Sequence, residues 1–245
     1  MIKKLSQSSL DKKYLNLQSY KATPINIDFS KVVVNKPWGG ECLIFKDPQV
    51  EIWNLFIKQF CATSMHCHPN KKTALVVVSG RVIFSSLNES LELTSLDAVV
   101  IDSGSFHSTQ AISKEGARVL ELEIPPMKHD LVRLEDMYGR TQDGYEGPES
   151  MKSDPNQVRF TGLDFGQMRD FYENRLCFQI IEKNNDIPNF NGCDGVLAVI
   201  LSGDIVSELG DILFGPGDIM TLEELDDSNH LFKNVAIMFI GRNKK

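Results

Sequence analysis

The stretch of residues 56–82 constrains the fold of this chain most, because it places two histidines two positions apart in a β-rich context. His66 and His68 flank Cys67, and an apolar run over residues 75–78 follows them. Side chains at positions i and i+2 of a strand point to the same face of a sheet. Both imidazoles therefore converge on one side, where they can offer two nitrogen ligands to one divalent metal.

A third histidine lies in the segment DAVVIDSGSFHSTQ, where Gly104 supplies a turn just before His107. The chain has only 5 histidines, and three of them fall in these two segments. A lone His-x-His pair is more often a structural or surface feature, whereas an ordered set of pair, β-rich run, turn and third histidine is more specific. The sequence therefore predicts a metal site made of His66, His68 and His107.

This order of motifs resembles the cupin superfamily. The first cupin motif runs His-x-His, a few residues, Glu, six residues and Gly, and the second runs Gly-Asp, a short strand, a turn and His. The matching residues are His66, His68 and Gly80 in the first motif and Asp97, Gly104 and His107 in the second. The resemblance implies an all-β jelly-roll barrel that binds a divalent metal ion (Zn, Fe, Mn or Ni).

Two departures from the cupin pattern affect the expected metal site. Thr73 stands where the family's Glu ligand is expected, and Leu96 replaces the Gly before Asp97. The interpretation of the fold survives both changes. The family's ordinary set of three His and one Glu does not.

Residues 118–124 alternate in the manner of a strand, with Leu120 and Leu122 on one face and Glu121 and Glu123 on the other. In the ordinary interpretation the two glutamates face solvent. In a barrel with a polar cavity they face the interior instead, where one of them can replace the missing ligand or act as a general base. The alternation treats Glu121 and Glu123 alike and does not choose between them.

Two adjacent lysines, Lys71 and Lys72, follow the histidine pair in a short insert relative to the family pattern. One interpretation makes them a solvated hairpin tip. The other places one of them at the mouth of the barrel, where its ammonium group meets an anionic substrate group such as phosphate. A basic spot on an acidic chain keeps both interpretations open.

A further resemblance comes from the segment KPWGGE at residues 36–41. Pro-Trp-Gly-Gly forces a turn, because Pro fixes φ and Gly admits positive φ. Together with the His-x-His pair and the VVVSG run at residues 76–80, this segment is similar to cupin-type mannose-6-phosphate isomerases and to the C-terminal domains of mannose-1-phosphate guanylyltransferases. The resemblance implies chemistry on sugar phosphates or nucleotide sugars.

The C-terminal part of the chain repeats the first part in a degraded form. Its run GVLAVILSG at residues 195–203 mirrors residues 73–80, and Asn189 and Asn191 take the place of the histidine pair. Asn amides are poor ligands for transition metals beside imidazole, so this copy is predicted to keep the fold without the metal. Residues 141–157 are rich in Gly, Pro, Ser and acidic residues, which is typical of a linker.

The predicted fold is therefore all-β, with two cupin-type (jelly-roll) β-barrels in tandem and a few short helices. Residues 1–150 form the N-terminal cupin barrel with the metal site, and residues 151–245 form a degenerate cupin-like barrel. Residues 1–20 are polar and Lys-rich, which predicts a loosely packed lead. Residues 164–173 have the pattern of a short amphipathic helix.

Composition and charge narrow the choice of partners and location. A formal net charge of −7 argues against binding to nucleic acid or to anionic membranes. No apolar run approaches the ~20 residues needed to span a bilayer, and no apolar signal-peptide region follows the N-terminal lysines. The 5 cysteines are odd in number and lack CxxC spacing, so reduced thiols in a cytoplasmic protein are expected.

Three hypotheses for function follow. The leading one is a metal-dependent isomerase or epimerase of a sugar phosphate or nucleotide sugar in surface polysaccharide biosynthesis. The three histidines would bind the ion, Glu121 or Glu123 would act as the base, and Lys71 or Lys72 would meet the anionic group. The alternatives are a non-catalytic sugar-binding or assembly cupin with a structural or vestigial metal, and a three-His iron dioxygenase. The resemblance also implies a homodimer.

Overall fold

The structure, a computed structural model, describes residues 1–18, 27–154, 157–227 and 229–244. Strands dominate these ranges, and no helix within them is long and apolar enough to cross a membrane. The helical elements are α1 (Ser9–Asn16), α2 (Leu222–Leu225) and short 3-10 helices at Phe29–Lys31, Pro148–Ser150, Gly162–Asp164 and Asn184–Asp186. The predicted all-β class with a few short helices is confirmed.

The strands, numbered along the chain, form three sheets. In spatial order, the first sheet contains β1 (Ile2–Leu5), β9 (Ala98–Ile101), β6 (Lys72–Ser79), β11 (Ala117–Ile124), β4 (Glu51–Ile57), β3 (Gly39–Lys46), β2 (Val32–Lys36) and β13 (Met151–Ser153). The second contains β12 (Val132–Glu135), β5 (Met65–Cys67), β10 (His107–Ala111), β7 (Arg81–Ser86) and β8 (Ser90–Thr94). The third contains β14 (Met168–Phe171), β15 (Asn174–Ile181), β19 (Leu231–Asn243), β16 (Cys193–Val206) and β17 (Ile212–Phe214), with β18 (Ile219–Thr221) paired to β16.

The first and second sheets share one apolar core, which makes the N-terminal part of the chain a barrel. Trp53 and Val77 of the first sheet belong to the same buried cluster as Val82 and Phe84 of the second sheet. All four side chains are at most 1% exposed. Alternate residues of each strand face this core, and the candidate site lies where polar side chains continue the same interior face.

The third sheet covers the outer face of the first sheet, and a second apolar core fills the space between them. Phe45 of β3 stacks on Phe178 of β15 with the ring centroids 4.8 Å apart. Leu120 and Leu122 of β11 lie in the same cluster and have no exposed surface. Because the apolar face of β11 packs against the third sheet, its polar face, with both glutamates, turns into the barrel and not toward solvent.

The C-terminal strands form a single six-stranded sheet in the described residues. A second barrel over residues 151–245 and a domain boundary near residue 150 therefore stay predictions. The proposed internal repeat has one local counterpart in the backbone. Gly203 within β16 has a φ of 74°, and Gly80, its counterpart after β6, has a φ of 80°.

The predicted helix over residues 164–173 is wrong. A 3-10 helix ends at Asp164, Gly166 has a φ of 77°, and β14 then pairs antiparallel with β15. Gly166 breaks the helical path, and strand pairing satisfies the backbone groups that follow. Phe171 is buried in the core between the first and third sheets, as a strand residue.

The N-terminal residues are an integral part of the barrel. β1 pairs in parallel with β9, and α1 begins with a capping box formed by Ser8 and Asp11. The Asp11 carboxylate, on a residue only 2% exposed, accepts a hydrogen bond from the backbone N–H of Phe106 at 2.9 Å. The prediction of a loosely packed lead is wrong for residues 1–18, and residues 19–20 lie outside the described residues.

Candidate metal centre

The three histidines predicted as ligands lie side by side on the second sheet. His66 of β5 stands directly opposite His107 of β10. His68 follows the end of β5, and Cys67 between them packs into a small apolar cluster. The ring centroids are 4.5 Å apart for His66 and His107, 4.9 Å for His66 and His68, and 5.5 Å for His68 and His107. The fold thus brings His107 beside a histidine pair from a distant part of the sequence.

Each imidazole is held by a backbone carbonyl. The Nδ1 atoms contact the carbonyl oxygens of Ser64 (from His66, 2.8 Å), Asp130 (from His68, 2.6 Å) and Ser105 (from His107, 3.0 Å). A carbonyl oxygen only accepts, so Nδ1 carries the hydrogen and Nε2 keeps its lone pair. In the described residues, the buried Nε2 atoms of His68 and His107 have no hydrogen-bond partner. This arrangement is typical of histidines that bind a metal through Nε2.

A carboxylate completes the cluster. Glu121 lies on β11, and its Oε1 is 3.7 Å from Nε2 of His68. One ligand atom from Glu121 and one from each histidine lie within 4.8 Å of one another, and all four residues are buried. Four donors bound to one ion at about 2.1 Å lie roughly 3 to 4 Å apart. A small inward movement therefore lets all four reach the same ion.

The pairing of β6 with β11 explains how a glutamate of β11 can take the place of the Glu that is missing at Thr73. These strands are antiparallel neighbours in which Thr73 pairs with Glu123 and Leu75 pairs with Glu121. Cross-strand partners direct their side chains to the same face, so a carboxylate on β11 reaches the interior space that one on β6 would occupy. The motif Glu is absent at Thr73, and of the two glutamates predicted as its replacement it is Glu121, on the neighbouring strand, that lies with the three histidines.

Burial sets the protonation states of the cluster. Burial, together with the neighbouring His68, lowers the pKa of His107 from 6.5 to about 4. Burial and His107 likewise hold the pKa of His66 well below its usual value. Burial alone would raise the pKa of Glu121, but the contact with His68 and the charge of Lys128 outweigh it and hold this pKa well below its usual value. Neutral imidazoles and an ionised carboxylate are the forms that bind a divalent cation, so the donor set fits a metal ion.

Comparison with models of protein families gives no match, and comparison with curated protein sequences gives none. Among solved structures, the capsular polysaccharide assembling protein CapF from Staphylococcus aureus matches 45% of this chain at 20% identity with a TM-score of 0.38, over 33% of CapF. KdgF from Halomonas sp. matches 37% of this chain at 17% identity with a TM-score of 0.35, over 83% of KdgF. The cupin domain of Cnp3 from Schizosaccharomyces pombe matches 36% of this chain at 11% identity with a TM-score of 0.33, over 64% of that domain.

The first and second sheets face each other, and the His-x-His strand lies in the second sheet beside the strand that carries the third histidine. The turns of the second motif have the left-handed backbone conformation that a motif glycine adopts. Leu96, in the position of the motif Gly, has a left-handed φ of 66°, and Gly104 before His107 has a φ of 73°. The barrel therefore has the motif order and the turn conformations that the resemblance to cupins predicts. The three matches cover less than half of this chain, and this chain spans about a third of CapF. The likeness carries no conclusion about activity.

A second group of charged side chains lines the barrel cavity beside the histidines. Lys71 Nζ is 2.8 Å from Glu123, while Lys128 Nζ is 2.9 Å from the other oxygen of Glu123 and 3.1 Å from Glu41. Lys71 and Glu123 are each 1% exposed, so Lys71 is not a solvated hairpin tip. Burial alone would raise the pKa of Glu123, but Lys128 and Lys71 outweigh it and lower this pKa. Glu123 is therefore ionised at neutral pH.

The charges continue to alternate along the cavity wall. Lys36 lies 3.2 Å from Glu41 and also pairs with Glu146, and the hydroxyl of Tyr145 donates to Glu41. Arg140 contacts Glu146 at 2.6 Å. Both ends of the KPWGGE segment thus face the cavity, on either side of its turn. These contacts extend the lysine–glutamate pairs into one connected network.

Lys72 does not line the cavity. Its ammonium group lies 2.6 Å from the carboxylate of Asp218 and 3.3 Å from the carbonyl oxygen of Pro216, both in the C-terminal part. Consecutive residues of an extended chain point to opposite faces, and here Lys71 takes the inner direction. Of the two lysines predicted to meet an anionic substrate, only Lys71 lines the cavity.

Sequence reasoning missed the residues that the segment after β11 contributes to the cavity. Lys128 bridges two glutamates, Tyr145 donates to Glu41, and Arg133 of β12 stands opposite His66 in the register. The cavity encloses about 60 Å³, which is room for a few water molecules. The alternation of apolar and charged residues over 132–135 is the signal that could have identified β12 and its inward arginine.

Proposed function

We propose that this protein is a metal-dependent isomerase or epimerase that acts on a sugar phosphate or a nucleotide sugar and serves surface polysaccharide biosynthesis. One observation carries the proposal. A single cavity contains four metal-ligand atoms within 4.8 Å of one another and, beside them, an ionised carboxylate, Glu123, held between two ammonium groups. A metal site beside an ionised carboxylate suits proton transfer at a carbon next to a polarised oxygen.

The charges of the cavity favour an anionic substrate. Besides the histidines, its lining contains five cationic side chains and four carboxylates: Lys36, Lys71, Lys128, Arg133, Arg140, Glu41, Glu121, Glu123 and Glu146. A divalent ion adds further positive charge. Since opposite charges attract more strongly away from bulk water, the metal-loaded cavity attracts a phosphate or carboxylate group.

The residues of the cavity have distinct roles in this reaction. A divalent ion held by the three histidines and Glu121 would polarise a carbonyl or hydroxyl oxygen of the substrate. Glu123 accepts the proton from the adjacent carbon and later returns it to the neighbouring carbon, or to the opposite face of the same one. Lys71 and Lys128 lower the basicity of Glu123, but their ammonium groups also stabilise the negative charge that develops on the enediolate oxygens.

The cavity of about 60 Å³ holds only a part of either substrate, so a sugar phosphate and a nucleotide sugar both stay candidates. A homodimer and a cytoplasmic location, both expected from the sequence, stay predictions.

Solvent-proton exchange tests the reaction directly. Metal-stripped protein is reloaded in turn with Zn, Mn, Fe or Ni and incubated in D2O with a panel of aldose and ketose phosphates and nucleotide sugars. The expected result is deuterium incorporation next to the carbonyl carbon together with an isomeric or epimeric product, both detected by NMR. Absence of exchange and of interconversion for every substrate, with the metal content verified by elemental analysis, contradicts the proposal.

Matched variants separate the assigned roles. Glu123→Gln is expected to keep the metal and lose proton exchange, whereas His66→Ala is expected to lose the metal. Lys72→Met, which changes a lysine outside the cavity, is the control and should keep both metal and activity. A Glu123→Gln variant with unchanged exchange would remove Glu123 from the reaction.

One observation favours a non-catalytic role as the second candidate. Lys36, Lys71, Lys128 and Arg140 each already have a carboxylate partner, as expected of a closed, structural network. A sugar-binding or assembly cupin would bind its ligand without exchanging protons, so ligand binding without deuterium incorporation supports this candidate. Oxygen uptake by the iron-loaded protein would instead support a dioxygenase.

A further inference from the structure

A second cavity, of about 410 Å³, lies behind the strands that form one wall of the metal cavity. The outer face of the first sheet contributes Asn54 and Phe56 of β4, Cys42 of β3 and Arg118 of β11, and Tyr172 closes one side. Neighbouring residues of a strand point to opposite faces, so this cavity and the metal cavity lie back to back. Its volume is within the range of small-molecule sites.

Arg118 is a cation that lies against two aromatic rings. Its guanidinium carbon lies 4.1 Å from the ring centroid of Tyr172 and 4.9 Å from that of Phe56. Within the part of the chain that the structure describes, its side chain makes no salt bridge and no hydrogen bond. The two aromatic rings hold the guanidinium plane in place, which leaves its N–H groups for a ligand. A carboxylate or a phosphate matches this paired set of donors.

Asn54 adds an unpaired acceptor to the same cavity. The residue is 5% exposed, and its amide oxygen is buried without a hydrogen-bond partner in the described residues. Its amide nitrogen makes only long contacts, 3.4 Å to the hydroxyl of Tyr172 and 3.8 Å to the sulfur of Cys42. Leaving a buried acceptor unpaired is destabilising. A hydroxyl group of a ligand can donate to this oxygen.

Tyr172 holds an unusual backbone conformation that completes the site. Its φ of 55° is in the left-handed region, which is unfavourable for a residue with a Cβ atom. The side chain is 49% exposed, so core packing does not explain the strain. This conformation places the aromatic ring over the guanidinium group of Arg118.

We propose that this cavity binds a small hydroxylated anion, a phosphorylated or carboxylated sugar or polyol. Its acidic group pairs with Arg118, and one hydroxyl donates to Asn54. Asp154 and Glu41 also line the cavity, so the acidic group of the ligand pairs with Arg118 and not with that part of the lining. The site is separate from the metal centre and does not depend on the proposed reaction.

Cys42 reports on the occupancy of this cavity. Its half-buried thiol belongs to the lining, whereas Cys193 is also half-buried but lies in β16, outside the lining. The rate of iodoacetamide alkylation is measured for both thiols by mass spectrometry, with glucose 6-phosphate, glucuronate or inorganic phosphate as the probe. Glucose 6-phosphate or glucuronate at about ten times its dissociation constant is expected to slow alkylation of Cys42 about tenfold, without changing Cys193. Inorganic phosphate lacks hydroxyls on a carbon frame and is expected to protect less.

Variants identify which site gives the protection. Arg118→Gln and Asn54→Leu are expected to lose it, whereas His66→Ala in the metal centre is expected to keep it. Asn54→Leu should keep or raise the melting temperature, since it removes the unpaired acceptor, and a purely structural Asn54 would instead lower it. If Arg118→Gln does not fold, Arg118→Lys replaces it and is expected to weaken protection.

Three results would overturn the proposal. The first is an unchanged rate for Cys42 with all three probes in the native protein. The second is full protection in the Arg118 variant. The third is loss of protection in His66→Ala, which would place the probe in the metal cavity. Equal protection by inorganic phosphate contradicts the role given to Asn54.

Discussion

The buried imidazole of His107 makes a quantitative prediction about acid stability. Its pKa falls from 6.5 to about 4 in the folded protein, mainly because of burial and secondly because of His68. The unfolded chain therefore takes up a proton on this imidazole at a higher pH than the folded chain does. Stability is unaffected above the unfolded pKa and decreases as the pH falls from 6.5 toward 4. Below that window the loss is complete.

The size of the effect follows from the shift. Each pKa unit corresponds to 1.36 kcal/mol, so the fall of the pKa from 6.5 to about 4 lowers the free energy of unfolding by about 3 kcal/mol in full, and by about 2.5 kcal/mol at pH 4.5. The side chain is 2% exposed, so solvent screening takes little away from this value. His66, whose pKa is also lowered, adds to the loss in the same pH range.

The assay compares metal-stripped native protein with the variant His107→Gln. Urea unfolding is followed by circular dichroism between pH 4.5 and 8, and the free energy of unfolding is obtained at each pH. The two proteins differ by a constant amount above pH 7.5, because neither side chain is charged in either state there. Toward pH 4.5 the native protein is expected to lose about 2.5 kcal/mol more than the variant. If the free energies of unfolding of the two proteins fall in parallel with pH, His107 is not buried in its neutral form, as the metal centre requires.

Three further substitutions test other parts of the structure. Glu121→Gln removes the carboxylate from the cluster and is expected to weaken metal binding by a factor of about 10 to 100, measured by competition with a chelator; unchanged affinity would make the site a three-His site. Phe178→Ala removes a ring stacked between the first and third sheets and is expected to destabilise the protein by about 3–5 kcal/mol in urea unfolding. Gly39→Ala places a Cβ atom 1.9 Å from the carbonyl oxygen of Phe56 and should prevent folding or lower the melting temperature sharply; a normal melting temperature would contradict the tight turn.

The histidine positions were predictable from the sequence because the period of a strand is two. His66 and His68 had to share a face, and a turn at Gly104 brought His107 to the neighbouring strand of the same sheet. The location of the carboxylate was not predictable in the same way. The alternation in β11 allowed either face to be the buried one, and the third sheet, which the sequence did not place, decides it.

The segment after β11 was the least predictable part of the site. Lys128 and Tyr145 lie in irregular backbone outside β12, where neither the helical nor the strand period applies. Lys128 and Tyr145 reach the cavity only because Glu41 and Glu123 face it from other strands. Such contacts depend on tertiary structure, and no spacing within the sequence encodes them.

The buried charge network raises the question of whether it serves stability or chemistry. Removing one partner of a buried ion pair typically costs about 3–5 kcal/mol, whereas replacing both by apolar residues of similar size is often neutral. Glu123→Leu leaves Lys71 without its partner and is therefore expected to lose that much stability in urea unfolding.

The double variant Lys71→Met with Glu123→Leu removes the whole pair and leaves Lys128 in contact with Glu41 at 3.1 Å. We expect it to unfold within about 1 kcal/mol of the native protein and to show no proton exchange with any sugar phosphate. That result would indicate that the buried pair of Lys71 and Glu123 serves the reaction and not the stability of the fold. A double variant as unstable as Glu123→Leu alone would instead make the ion pair part of the scaffold.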